Sequence, residues 1–137
     1  MYIATIHKDE DTAYSVGFPD VMGCISYGDN YEEAQANAAE ALSLHLNAML
    51  EHGEPLPVPR ALDELQVAAK TDEVIAGLLE GAVCVGIPYL ADLAKTTRIE
   101  IEVDAGLLAA VDSYAQSYNI SRAALFSSAV REKISFV

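Results

Sequence analysis

The sequence predicts an α+β chain, a small β-β-β-α-β sheet domain followed by a strand-helix-helix module. Three observations carry that reading. Apolar residues alternate at period two near the start, and one long alanine-rich stretch repeats at helical spacing. The third is Thr97–Val103, which alternates Ile99, Ile101 and Val103 with Arg98, Glu100 and Glu102 and has no second strand after it.

Taken in order, Met1–His7 alternates Tyr2, Ala4 and Ile6 with Ile3 and Thr5 and reads as a strand. Lys8-Asp9-Glu10-Asp11 is a charged turn, and Thr12–Phe18 returns as a second strand with Tyr14, Val16 and Phe18 on one face. Pro19-Asp20 stops it, because proline has no N–H for the ladder. Cys24–Tyr27 is a short third strand, ended by Gly28-Asp29. Asn30 stands three residues before Glu33, which is capping-box spacing. The helix Tyr31–Glu51 carries Tyr31, Ala34, Ala38, Ala41, Leu42, His45 and Met49 along one stripe, small enough at its alanines to lie close on a sheet. Gly53 is its expected C′ residue, and Pro55, Pro57 and Pro59 make a stiff connector. Arg60–Glu80 is weakly helical, in two pieces broken near Thr71. Ala82–Ile87 is a continuous apolar run expected to be a buried strand, and Tyr89–Lys95 leads out of the domain.

Beyond it, Asp104 caps a helix whose Leu107, Leu108, Val111, Tyr114, Ala115 and Tyr118 recur at helical spacing as far as Asn119. A second helical pattern starts at Ser121 and runs through Ala124, Leu125, Ala129, Val130 and Ile134. A lone strand leaves a row of unpaired N–H and C=O groups, and two such short helices cannot close a core alone. The economical solution is a second copy, its strand paired antiparallel about a two-fold through Ile99, Ile101 and Val103. That is a ribbon-helix-helix, whose ribbon enters the DNA major groove; the alternative is an edge strand of the preceding domain followed by two packing helices. The expected division is therefore residues 1–90, a linker over 91–95, and a dimerising module over 96–137.

Charge separates the same two parts. Residues 1–90 hold three basic against fifteen acidic side chains, a net of −12, whereas residues 91–137 hold five against six, a net of −1. The first part repels nucleic acid and attracts a basic partner; the second can approach phosphate at small electrostatic cost. No apolar run reaches the roughly 20 residues that span a bilayer, and the charged, strand-like start Met1–Glu10 does not read as a signal peptide. A cytoplasmic protein is expected, with Cys24 and Cys84 as small hydrophobes rather than a disulfide or a metal site. Catalysis is not expected. Asp20 and Asp29 are explained by turns and caps, His7, His45 and His52 do not cluster, and Ser127 and Ser128 lack a neighbouring base. Gly77, Gly81 and Gly86 make no phosphate loop, and neither metal nor cofactor is anticipated.

Tyr14-x-Val16-x-Phe18-Pro19-Asp20, Gly23-Cys24, Gly28-Asp29, Glu32-Glu33-Ala34, Asn37-Ala38 and Glu40-Ala41-Leu42 together resemble the HicB family of antitoxins. Gly53-x-Pro55-x-Pro57, Tyr89-Leu90 and Lys95-Thr96-Thr97-Arg98-Ile99 extend the resemblance over nearly the whole chain. It implies a partial RNase-H-like fold for residues 1–90, which would bind and block a HicA toxin, a small basic endoribonuclease that cuts mRNA with a histidine. It also implies homodimers or tetramers and autoregulation of the operon through the ribbon-helix-helix.

The residues qualify the DNA expectation. Arg98, Glu100 and Glu102 face outward from the ribbon, so a dimer brings four carboxylates toward the groove, against the counterion-release term of affinity. Glutamate can accept from cytosine N4, and phosphate anchoring falls to Ser121, Arg122 and Asn119 at the start of the last helix. The expectation is operator binding that is weak, or usable only by tetramers that engage two half-sites and gain from effective concentration. The alternative is a stand-alone ribbon-helix-helix repressor, which the fold favours and Glu100 and Glu102 oppose.

Overall fold

The computed structural model describes residues 1–91, 93 and 95–135. Asp92 and Ala94 of the expected linker, and Phe136 and Val137 of the expected second module, lie outside the described residues. The chain divides into two compact units, Met1–Asp92 and Leu93–Phe136.

The first unit contains β1 (Tyr2–Lys8), β2 (Tyr14–Gly17), β3 (Ile25–Gly28), α1 (Tyr31–Glu51), α2 (Leu62–Ala68), α3 (Glu73–Leu79) and β4 (Val83–Ile87). All neighbouring strands are antiparallel, in the order β3-β2-β1-β4. Thr5 pairs with Gly17, Tyr2 with Ile87 and Gly17 with Ile25. The second expected strand is shorter than Thr12–Phe18. The amide and hydroxyl of Thr12 both donate to Asp9 O (3.3 and 3.0 Å), closing the turn and keeping Thr12 out of the ladder. At the other end Phe18 O accepts from Val21 N (3.1 Å), so Phe18 begins the next turn.

Helix α1 begins and ends where its caps dictate. Asn30 Oδ1 accepts from Glu33 N (2.9 Å), and the Glu33 carboxylate reaches back to Asp29 N (3.1 Å). At the far end Glu54 N donates to Met49 O (2.9 Å) and Gly53 N to Leu50 O (3.1 Å), the Schellman pair, with Gly53 at φ 70°. Its buried stripe is Ala34, Ala38, Leu42 and Leu46. Leu46 was not in the expected stripe, and His45 and Met49 are only half-buried. The helix meets β3 closely: a Cβ on Gly28 would stand 2.3 Å from Ala34 N, a separation only glycine permits. Tyr2, Ala4, Ile6, Val16, Phe18, Val21, Cys24 and Ile87 complete the core beneath α1. Each fully buried leucine there is worth about 1.5–3 kcal/mol of transfer free energy.

The opposite face of the sheet is covered too, which weak periodicity over 60–80 left undecided. Thr5 is buried and its hydroxyl donates to Gly17 O (3.2 Å). A Cβ on Gly17 would lie 3.2 Å from Leu78 Cδ2, and His7 Nε2 donates to Glu80 O (3.0 Å). Both contacts place α3 on the Thr5 side. The break near Thr71 has a local cause, since Asp72 Oδ1 accepts from Val74 N and Ile75 N (3.0 and 3.2 Å) and starts a new helix.

One expectation is corrected here. Ala82–Ile87 is not a strand buried on both sides: β4 pairs only with β1, and Val83 is exposed. Its apolar run is explained by Val85 and Ile87 packing on the core, while Gly86 lies beneath Met1 on the other face.

The second unit contains α4 (Ala105–Ser117) and α5 (Arg122–Ser135). In the single chain residues 97–103 form no strand, and the ladder expected of them is one with a second copy. A strand is defined by its ladder, and none of the described residues supplies a partner to these N–H and C=O groups.

Candidate nucleic-acid and protein interfaces

In the second unit the residues expected at a dimer seam are open. Ile99 and Ile101 are 72% and 60% exposed, and Val103 is half-buried. Arg98, Glu100 and Glu102 are exposed as well, so both alternating sets of residues 98–103 are accessible in one chain. Many apolar side chains of α4, α5 and the turn between them share this condition: Leu107, Tyr114, Tyr118, Ile120, Val130 and Ile134 are exposed, Leu108, Val111, Leu125 and Phe126 are half-buried, and in this unit Ala115 alone among the described residues is buried. Tyr114 and Tyr118 stack on each other with centroids 4.5 Å apart.

The helix ends are locally complete. Asp104 Oδ1 accepts from Leu107 N (2.8 Å), as its position predicts. Asn119 adopts φ 53°, and Ile120 N returns to Ala115 O (3.0 Å), so Asn119 is the left-handed residue ending α4. Ser121 Oγ accepts from Ala124 N (3.0 Å) and caps α5. Arg122 makes a two-pronged pair with Asp112, Nε to Oδ1 and Nη2 to Oδ2, both 2.9 Å. That hydrogen-bonded pair holds the Asp112 carboxyl below its ordinary value and raises the Arg122 guanidinium. Of the expected phosphate anchors, the structure thus brings Asn119, Ser121 and Arg122 together at one interhelical turn and gives each a structural task. Asp112 was not anticipated; its signal is an acidic residue one helix before an arginine at the next helix start.

In the first unit the histidines hold structure: His7 on Glu80 O, His52 Nδ1 on Ala48 O (2.7 Å), and His45 half-buried on α1. Among the described residues no group of three His, Cys, Asp or Glu could hold a metal ion. Asp20 is a clamp: its two oxygens accept from Arg60 N and Nε, each at 2.7 Å, tying the proline connector to the loop after β2. Tyr2 OH donates to Pro57 O (2.6 Å) and fastens the same connector. Burial raises the Tyr2 phenol and both thiols above their ordinary values. Among the described residues no helix is long and apolar enough to cross a membrane.

Two surface features of this unit escaped sequence reasoning. On β3 the side chains of Ile25 and Tyr27 are 63% and 58% exposed, although the strand's other face is tight against α1. The register Lys8–Tyr14–Gly28 also carries the turn Asp9–Asp11 and the start of α1, with Asp29, Glu32 and Glu33, to one end of the sheet. The available signal for the first was the two-sided apolar pattern of Cys24-Ile25-Ser26-Tyr27.

Comparison with known proteins completes the description. A protein from Haemophilus phage HP1, known only by its size and genomic position, is 34% identical over 114 residues, covering 83% of this chain and 80% of its own. The crystal structure of the Burkholderia pseudomallei antitoxin HicB superposes with a TM-score of 0.55 at 26% identity over 97% of each chain. A toxin-antitoxin complex from Streptococcus pneumoniae shares the fold, with a TM-score of 0.50 at 19% identity over 96% of this chain and 97% of its own. The model of the HicB-like antitoxins of bacterial toxin-antitoxin systems matches residues 2–130, and the chain belongs to that family.

Proposed function

We propose that residues 1–90 bind and inhibit a HicA-like mRNA endoribonuclease, while residues 96–137 join two or more copies as a ribbon-helix-helix and bring them to operator DNA. The observation that carries this reading is the contrast between an acidic unit with its own closed core and a second unit whose apolar side chains are open. The sheet domain, a reduced RNase-H-like scaffold, serves as a binding surface. Its net charge of −12 opposes the positive field of an RNA-binding toxin and speeds encounter by one or more orders of magnitude at low salt. In the second unit, Ile99, Ile101 and Val103 of two copies pair, and Arg98, Glu100 and Glu102 face outward.

Co-expression with a HicA-like toxin, sought in the neighbouring reading frame, tests the first part: growth is rescued and the two co-purify. Absence of both rejects it. A mobility-shift titration on the upstream DNA at two salt concentrations tests the second. Replacing Glu100 and Glu102 with Gln removes like-charge repulsion, so binding strengthens and its salt dependence steepens. Loss of tight binding in that variant means instead that the glutamates read cytosines.

A further inference from the structure

The first unit has two helical covers and one uncovered strip. On the side of Tyr2, Ala4 and Ile6, α1 closes the core. On the other side Leu78 of α3 reaches Gly17, and Glu80 holds His7, so that face is covered over β1 and β2. Gly17 pairs with Ile25 and Ser15 with Tyr27, which sets Ile25 and Tyr27 on this same face, one strand further out and exposed. The sheet face that α3 covers therefore continues along the edge strand, where it is open and carries Ile25 and Tyr27.

Its surroundings are of one sign. Asp9, Glu10 and Asp11 in the β1–β2 turn and Asp29, Glu32 and Glu33 around the start of α1 are all exposed, at the sheet end where Tyr14 and Gly28 pair. Lys8 is the cation at that end, and it is engaged, donating to Thr12 O and lying 5.4 Å over the Tyr14 ring. An apolar centre with a polar rim is the usual anatomy of a protein interface, and tyrosine is among the residues that carry its energy.

We infer that the open face of β3, Ile25 and Tyr27 with their acidic end, is where the first unit receives the cationic toxin. This rests on the proposed function and names the surface that performs it. The charge selects the occupant. A second copy would bring another unit of net −12 against this rim, and nucleic acid would bring phosphates; both are repelled, whereas a basic protein is attracted. Contact is by side chains rather than by strand addition at Tyr27, since Asn37 Nδ2 donates to Tyr27 O (2.8 Å) and already occupies that edge carbonyl. A lysine or arginine of the toxin has the Tyr27 ring to lie over and the rim carboxylates to pair with.

The test is calorimetric titration of the full chain with a HicA-like toxin, sought in the adjacent reading frame, its catalytic histidine replaced. Wild type binds, and the double variant Ile25→Ser/Tyr27→Ala weakens binding at least about 100-fold with an unchanged thermal midpoint, as removal of two interface anchors does. Ile25→Lys, a single exposed substitution, does the same by setting a cation against a cation. Val67→Ser/Val74→Ser, at exposed apolar positions of α2 and α3, leaves affinity at the wild-type level. If wild type binds and the β3 variants bind equally well, the inference is overturned while the proposed function stands. If the β3 variants instead change the size of the homo-oligomer, the occupant is a second copy and the inference is again overturned. If wild type itself does not bind, the proposed function fails first.

Discussion

Residues Met1–Asp92 bury twelve hydrophobic side chains in one cluster, while between Leu93 and Phe136 Ala115 alone among the described residues is buried. Yet both units obey the same local rules. Asn30 and Asp104 cap their helices alike, and Gly53 and Asn119 end them with the same left-handed turn and the same returning amide. Good helix ends are thus not what makes a unit self-sufficient. The first has a four-stranded sheet for α1 to cover, and the second offers α4 and α5 only each other. Helical stability in proteins comes mainly from packing an apolar face, and the proposed pairing of copies would supply that packing to the second unit.

The sharpest way to break this contrast is to separate the units. A fragment of residues 1–90 is expected to be a folded monomer, and the full chain an even-numbered oligomer that Ile101→Asp dissociates, because burying an unpaired carboxylate costs several kcal/mol per chain. Sedimentation at micromolar concentration reads both results; a monomeric full chain would refute the pairing of residues 97–103.

Within the first unit, Leu42→Ala should cost about 2–5 kcal/mol in denaturant unfolding, since the side chain is fully buried between α1 and the sheet. Leu107→Ala, at an exposed position in the single chain, should leave that transition unmoved and weaken only the association of copies. Gly28→Ala follows, at about 1–3 kcal/mol, because a Cβ 2.3 Å from Ala34 N forces α1 off β3.

A smaller effect is expected at the Asp20–Arg60 clamp. Asp20→Asn loses the ionic part of two 2.7 Å bonds from a carboxylate only 6% exposed, for about 1–2 kcal/mol. Limited proteolysis near Pro55–Pro59 should accelerate alongside.

The smallest is the exposed Asp112–Arg122 pair. Its carboxyl is lowered, so its contribution is full above the ordinary value of 3.8 and lost as pH falls through the lowered value. Asp112→Asn should lower the second unit's helical signal slightly at neutral pH and remove its acid-side dependence in a circular-dichroism pH titration, the two changes being of the same small size.

Much of this was legible in the residues alone. The bounds of α1, the caps at Asn30 and Asp104, the break near Thr71 and the stop at Gly53 were all readable, because each depends on groups within a few positions of one another. Period-two alternation likewise located β1 and β2 of the first unit, whereas the same pattern in Thr97–Val103 forms no strand in the single chain. Tertiary structure decided the rest. Whether Ala82–Ile87 is central or an edge, that α3 covers the Thr5 face, that Asp20 meets Arg60 across 40 positions, and that Ile25 and Tyr27 stay open all depend on contacts between distant segments. Such choices follow from which packing buries the most apolar surface with every polar group satisfied. That is a sum over the whole unit, and no local pattern contains it.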